Sequence, residues 1–195
     1  MTMTRSKVRT AVFALAATFA LARPGNSTTV RQLAIGEMVQ AAYRIVVGQV
    51  TKVESAEDEH GAPVTYVTFS VSDTLKGKPA DKLTIKQLGW NDVPEGGGRI
   101  LRIPGLPRYR EGEESVLFLH QPSRGGFSSP IGLEQGKLPV VEIRGQRMVR
   151  VRSEDKGRTG WRQWGPAATK GQGKTESMEL GDFVGMLRAM VRSVP

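Results

Sequence analysis

Arg144, Arg147, Arg150, Arg152, Lys156, Arg158 and Arg162 crowd one stretch of the chain, with Trp161 and Trp164 beside them. Guanidinium forks bind carboxylates and phosphates bidentately. Indole rings add flat apolar faces on which sugars or cations stack. On a strand, Arg150 and Arg152 fall on one face. Trp90 supplies a third indole at the head of an irregular stretch ending at Tyr109. The candidate binding residues are therefore Arg144, Arg147, Arg150, Arg152, Trp161, Trp164 and Trp90. The chemistry they suggest is recognition of an anion or a polysaccharide. The competing reading is a solvated edge hairpin followed by a flexible loop whose tryptophans dock on the body of the fold.

Other chemistry is harder to build. Gly173-Lys174-Thr175 resembles the end of a phosphate loop, but the pattern needs a glycine where Ala168 stands, and Gly165-Pro166-Ala167 is no strand. The two histidines are His60 and His120. His60 sits with Glu57, Asp58 and Glu59 in one acidic loop, where sequential ligands on an open tip do not converge on a metal. Asn91, Asp92 and Glu95 lack the regular spacing of a calcium loop. His120 could pair with Ser115, Ser123 or Ser128, yet no G-x-S-x-G elbow and no third orienting group accompany it. Cysteine is absent, which excludes thiol nucleophiles, Cys–metal sites and thiol redox chemistry. No catalytic residue, metal site or cofactor is expected, and the protein reads as a non-enzyme.

The chain has 195 residues, 23 of them glycine and 11 proline, a composition that favours many turns and short strands. Arg5, Lys7 and Arg9 precede the apolar run Ala11–Ala22, which closes on Ala20-Leu21-Ala22. That order is a secretory signal peptide over residues 1–22, and a run of about 12 residues is short of the ~20 needed to span a bilayer. The expected location is outside the cytoplasm, periplasmic or secreted, without an integral span after cleavage. Taking those three cations from the chain's 28 leaves 25 against 19 acidic residues, a net +6. The expected partner is a protein or an anionic envelope polymer, and not nucleic acid, which an exported chain seldom meets.

The elements that must position these residues follow from periodicity. Val30–Ala42 has helical spacing, with Thr28 or Thr29 as cap. Tyr43–Val53 is apolar on both faces, Val64–Leu75 alternates, and Lys82–Gly89 alternates again. Glu54–Gly61 is an acidic loop, and Lys76-Gly77-Lys78-Pro79 is a turn. Both read as solvated connections. Ser115–His120 is a buried strand, Phe127–Leu133 a further candidate, and Lys137–Ile143 with Arg147–Arg152 a hairpin. Leu180, Phe183, Val184, Leu187, Met190 and Val191 form one helical stripe. The organisation is residues 23–152 as a helix plus β-barrel, 153–174 as a flexible polar loop, and 175–195 as a C-terminal helix. The fold class is mainly β, an OB-like antiparallel barrel with an N-terminal and a C-terminal helix.

Ala42-x-x-Ile45-Val46-x-Gly48-x-Val50, then Tyr66-x-Thr68-Phe69-x-Val71 running to Leu75-Lys76-Gly77, then Arg108-Tyr109-Arg110-Glu111-Gly112-Glu113-Glu114 leading to Val116-Leu117-Phe118-Leu119, resembles the netrin-like family. That OB-barrel module is shared with tissue inhibitors of metalloproteinases, and uncharacterised exported bacterial proteins have a similar order of strands. The match extends through Gly132–Lys137. The resemblance implies an OB barrel and an exported interaction module, or a regulator or inhibitor of an exported peptidase. The inhibitors chelate zinc through an N-terminal cysteine, so that mechanism does not carry over to a chain without one. The surfaces expected to carry binding are the Trp90–Tyr109 loop and the Arg144–Trp164 region.

Overall fold

The computed structural model describes residues 31–91, 103–151 and 176–194. The signal-peptide segment, Arg152, Trp161, Trp164 and the polar stretch at 153–174 lie outside the described residues. The chain order is α1 (Ile35–Ala41), β1 (Arg44–Glu57), β2 (Pro63–Lys76), β3 (Lys82–Leu88), β4 (Glu114–Leu119), a 3-10 turn (Leu133–Gly136), β5 (Lys137–Ile143), β6 (Gln146–Val151), β7 (Glu176–Glu179) and α2 (Leu180–Ser193). The seven strands make one antiparallel sheet in the order β3-β2-β1-β4-β5-β6-β7. The fold is therefore mainly β with two helices, but the sheet is not closed into the expected barrel. The Phe127–Leu133 strand is likewise reduced to single bridges, Lys86↔Phe127 and Leu119↔Pro130.

The sheet is apolar on both sides at its centre because β1 and β4 alternate two sets of hydrophobics. Ile45 and Val47 join Val116 and Phe118 in one cluster, beneath both helices. Val46 and Val50 join Leu117 and Leu119 in a second cluster with Val67, Phe69, Ile85 and Tyr109. On α2, Leu180, Phe183, Val184 and Leu187 are buried, as their spacing requires. Fully burying each such side chain is worth about 1.5–3 kcal/mol.

β1 and β2 are longer than their sequence patterns suggest. The β1–β2 register skips Thr51 between Val50 and Lys52. Such a bulge switches the alternation, so Val53 packs with the same cluster as Val50. The strand thus runs on through Glu54–Glu57 into the stretch read as an acidic loop, and the hairpin tip shrinks to Asp58–Ala62. That tip is not fully solvated. The Asp58 side chain is only 3% exposed and pairs with Lys86 at 2.9 Å.

Three further boundaries move. Residues 31–34 are not helical, and α1 starts at Ile35 after Ala34, whose N–H donates to the Glu37 carboxylate at 2.8 Å. Lys76 of the expected solvated turn donates to the Val39 and Gln40 carbonyls, placing a cation at the C-terminus of α1. Glu176–Glu179, expected as part of the last helix, pairs with β6 as β7.

Candidate functional site

Segment 107–113 lies across the sheet and is fixed by side chains that offer it ladder-like hydrogen bonds. The Asn91 amide donates to the Tyr109 carbonyl and accepts from its N–H, both at 3.1 Å. Thr65 in turn donates to the Gly89 carbonyl and accepts from the Asn91 N–H, each at 2.8 Å. Gln87 donates to the Pro107 carbonyl at 3.1 Å. The Tyr109 ring meets Phe69 edge to face at 5.6 Å. Beyond Tyr109 the chain turns at Glu111-Gly112, where the Gly112 N–H donates to the Val50 carbonyl and the Val50 N–H to that of Glu113.

This anchoring imposes an alternation. Pro107 and Tyr109 are buried while Arg108 and Arg110 are exposed. Both arginines line a cleft of about 680 Å³. Its second wall is the lead into α1, held by Gln135, which accepts from the Leu33 N–H at 2.7 Å and donates to the Arg31 carbonyl at 3.1 Å. Gly136 lets this 3-10 turn dock, because a Cβ there would lie 2.6 Å from the backbone N and O of Ile131. The third wall is the start of β5, Lys137 to Pro139, with Arg150 of β6 facing it.

The opening between β5 and β6 follows from a proline. The β5–β6 register runs from Ile143↔Gln146 to Val140↔Val149 and ends there. The next residue of β5 is Pro139, which has no N–H to give to a ladder. β6 continues instead with β7, where Arg150 faces Ser177. Arg150 is therefore paired on its β7 side alone and stands at a mouth where the β5–β6 ladder has stopped.

Lys137 is the buried cation beneath the cleft, with a side chain 8% exposed. Its ammonium lies 4.5 Å over the Tyr109 ring, pairs with Glu113 at 2.8 Å and donates to the Arg108 carbonyl. The guanidinium groups of Arg108, Arg110 and Arg150 have no carboxylate partner among the described residues, although the Arg110 backbone N–H donates to Glu113 at 3.3 Å. The lining counts four cations against two carboxylates, Glu113 and Glu134.

The other sequence candidates separate. Arg147 forms a two-point pair with Glu114, and lines a second cavity of about 430 Å³ with Asp73 and Glu179. Arg144 is the exposed first residue of the β5–β6 turn, with a φ of 54°. Trp90 is half-buried and donates to the Ala56 carbonyl at 3.0 Å, lining a small cavity of about 160 Å³ that shares Pro107 and Arg108 with the cleft. Of the two stretches expected to carry binding, the first contributes Arg108 and the second Arg150 to this cleft. Arg108, Arg110 and Lys137 were not singled out from sequence. The signal for the first two was present in Arg108-Tyr109-Arg110, two cations flanking an aromatic at strand spacing.

The catalytic alternatives do not assemble. The Ser128 hydroxyl donates to the His120 backbone carbonyl, not its ring, and Ser123 accepts from the Phe127 N–H. Ser115 is fully buried with its hydroxyl unpartnered. Among the described residues no three His, Asp or Glu side chains are placed to hold a metal ion, and no helix is long and apolar enough to cross a membrane. The chain matches no family model, no curated protein and no solved structure.

Proposed function

We propose that the protein is an exported, non-catalytic interaction module that binds a partner protein or an envelope polymer through anionic groups. One observation carries the reading: three guanidinium groups without carboxylate partners among the described residues, Arg108, Arg110 and Arg150, line a single 680 Å³ cleft. Guanidinium groups in a concave site with apolar walls are suited to hold carboxylates or phosphates, because the walls lower the local dielectric and focus the field. The absence of an assembled nucleophile–base pair among the described residues favours binding over turnover.

The export part rests on the signal-peptide pattern of residues 1–22. The OB-like part is supported by the two isolated bridges, which carry segment 127–130 from the free edge of β3 to the end of β4. The netrin-like resemblance implies both, an OB-like barrel and an exported interaction module.

The test is retention of the chain from residue 23 onward on the native envelope fraction, compared with an Arg108→Ala/Arg150→Ala variant. Binding that weakens roughly tenfold or more in the variant, and falls with added salt, is the expected result. Equal retention of the two proteins would overturn the reading.

A further inference from the structure

We infer that the cleft accepts an extended acidic segment of a partner polypeptide, with carboxylates at alternate positions meeting Arg108 and Arg110 and a further one reaching Arg150. The inference deepens the function proposed above and rests on it.

The spacing comes first. Pro107, Arg108, Tyr109 and Arg110 alternate buried, exposed, buried, exposed. In extended backbone, residues two apart share a side and stand about 6–7 Å apart. That is also the repeat of same-side side chains in an extended peptide, so two carboxylates at positions i and i+2 match the two guanidinium groups in register. Because Asn91, Gln87 and Lys137 hold all three carbonyls from Pro107 to Tyr109, the spacing exists before any ligand arrives. Less ordering free energy is then lost on binding.

The lining chooses among anions. Among the described residues, Leu33, Met38, Leu138, Pro107 and Pro139 give the cleft an apolar lining beside the cations, and no aromatic ring lines it. Polysaccharide recognition by stacking would need a ring face. A hydrated polyphosphate gains nothing from leucine and methionine. A peptide that alternates Asp or Glu with apolar residues uses both properties. Within the cleft Glu113 is engaged by Lys137, so the guanidinium groups are not neutralised by it.

The experiment titrates the full chain, and its Arg108→Ala and Arg150→Ala variants, with synthetic peptides. One peptide alternates Asp with Leu, and a second has the same composition with its Asp residues in one block. Inorganic polyphosphate and a sulfated polysaccharide form the other arms, and thermal unfolding confirms that each variant is folded. Preferential binding of the alternating peptide, weakened roughly tenfold by each substitution, is the expected result. Equal binding of the two peptides, or tighter binding of either polymer, overturns the inference. If no peptide binds while envelope retention still depends on Arg108 and Arg150, the inference fails and the broader function stands. If envelope retention ignores both arginines, the broader function has failed first.

Discussion

Asn91 and Tyr109 exchange two hydrogen bonds of 3.1 Å, so that one side-chain amide does for segment 107–113 what a neighbouring strand would do. Both residues are buried. Each bond is worth about 0.5–1.5 kcal/mol net, and leaving the Tyr109 backbone groups unpaired adds a desolvation cost of about 1–3 kcal/mol. Asn91→Ala is therefore expected to lower stability by about 2–4 kcal/mol. Asn91→Asp, which keeps the acceptor and loses the donor, should fall between the variant and the parent. Urea unfolding monitored by tryptophan fluorescence checks the order.

The hydroxyl of the same tyrosine makes the opposite prediction. It is buried without a hydrogen-bond partner among the described residues, and burial pushes its pKa far above the usual phenol range. The ring, by contrast, packs on Phe69 and lies under Lys137. Removing the oxygen deletes a desolvated group that nothing offsets, while the ring contacts persist. Tyr109→Phe is expected to be neutral or to stabilise by about 1 kcal/mol, and Tyr109→Ala to destabilise by about 3–5 kcal/mol. A clear loss of stability in the Phe variant would mean that the hydroxyl has a partner after all.

Much of this was legible in the chain and some was not. The α2 stripe and the double apolar pattern of β1 are local periodicities, and the helix and central strand appear where they point. The register skip at Thr51 is set by pairing with β2, so no window of β1 alone reveals that Glu54–Glu57 stay in the strand. The open sheet has a similar origin. Segment 127–130 reaches both β3 and β4 but contributes only single bridges, so the ladder does not continue from one to the other. The cleft depends on Pro139 lying opposite Arg150, a relation between two strands. Composition pointed instead to the densest run of arginines.

Asp58 and Lys86 should give the fold a measurable acid response. The hydrogen bond from the Lys86 ammonium, helped by the Ala62 and His60 N–H groups, lowers the Asp58 pKa from the ordinary 3.8 to about 2. The folded value lies below the unfolded one, so this contribution is fully present above about pH 4 and is lost as pH falls from there through about 2. The Lys86 pKa is raised by the same partner, so its share is lost only as pH climbs above the ordinary 10.5. Unfolding midpoints measured from pH 5 to pH 2 should fall for the parent and fall less steeply for Asp58→Asn. Parallel curves would remove Asp58 as the cause.

The β5–β6 turn holds a second stability handle, away from the cleft. Arg144 and Gly145 both have positive φ, 54° and 78°, as a two-residue type I′ hairpin demands. Glycine adopts that region freely, whereas an arginine there is strained by about 1–2 kcal/mol. Asn tolerates it better, and Asn-Gly is a favoured pair for this turn. Arg144→Asn is expected to stabilise by about 0.5–1 kcal/mol in thermal or urea unfolding. It should leave envelope retention unchanged, since Arg144 does not line the cleft.

Arg147 and Arg150 sit three residues apart on β6 and should separate cleanly by experiment. Arg147 holds Glu114 of β4 through both Nε and a terminal nitrogen, across β5, with its own side chain half exposed. An exposed pair of good geometry contributes up to about 1 kcal/mol, so Arg147→Ala should cost that much stability or less and leave binding intact. Arg150 makes no ion pair among the described residues and lines the cleft, so Arg150→Ala should leave the unfolding midpoint in place and weaken retention on the envelope fraction. Measuring both quantities on both variants tests the site against a general effect of basic charge. If either arginine could replace the other, losing the same charge from the same strand would weaken retention equally. Retention that drops only with Arg150 instead assigns the effect to the mouth opened where the β5–β6 ladder stops before Pro139.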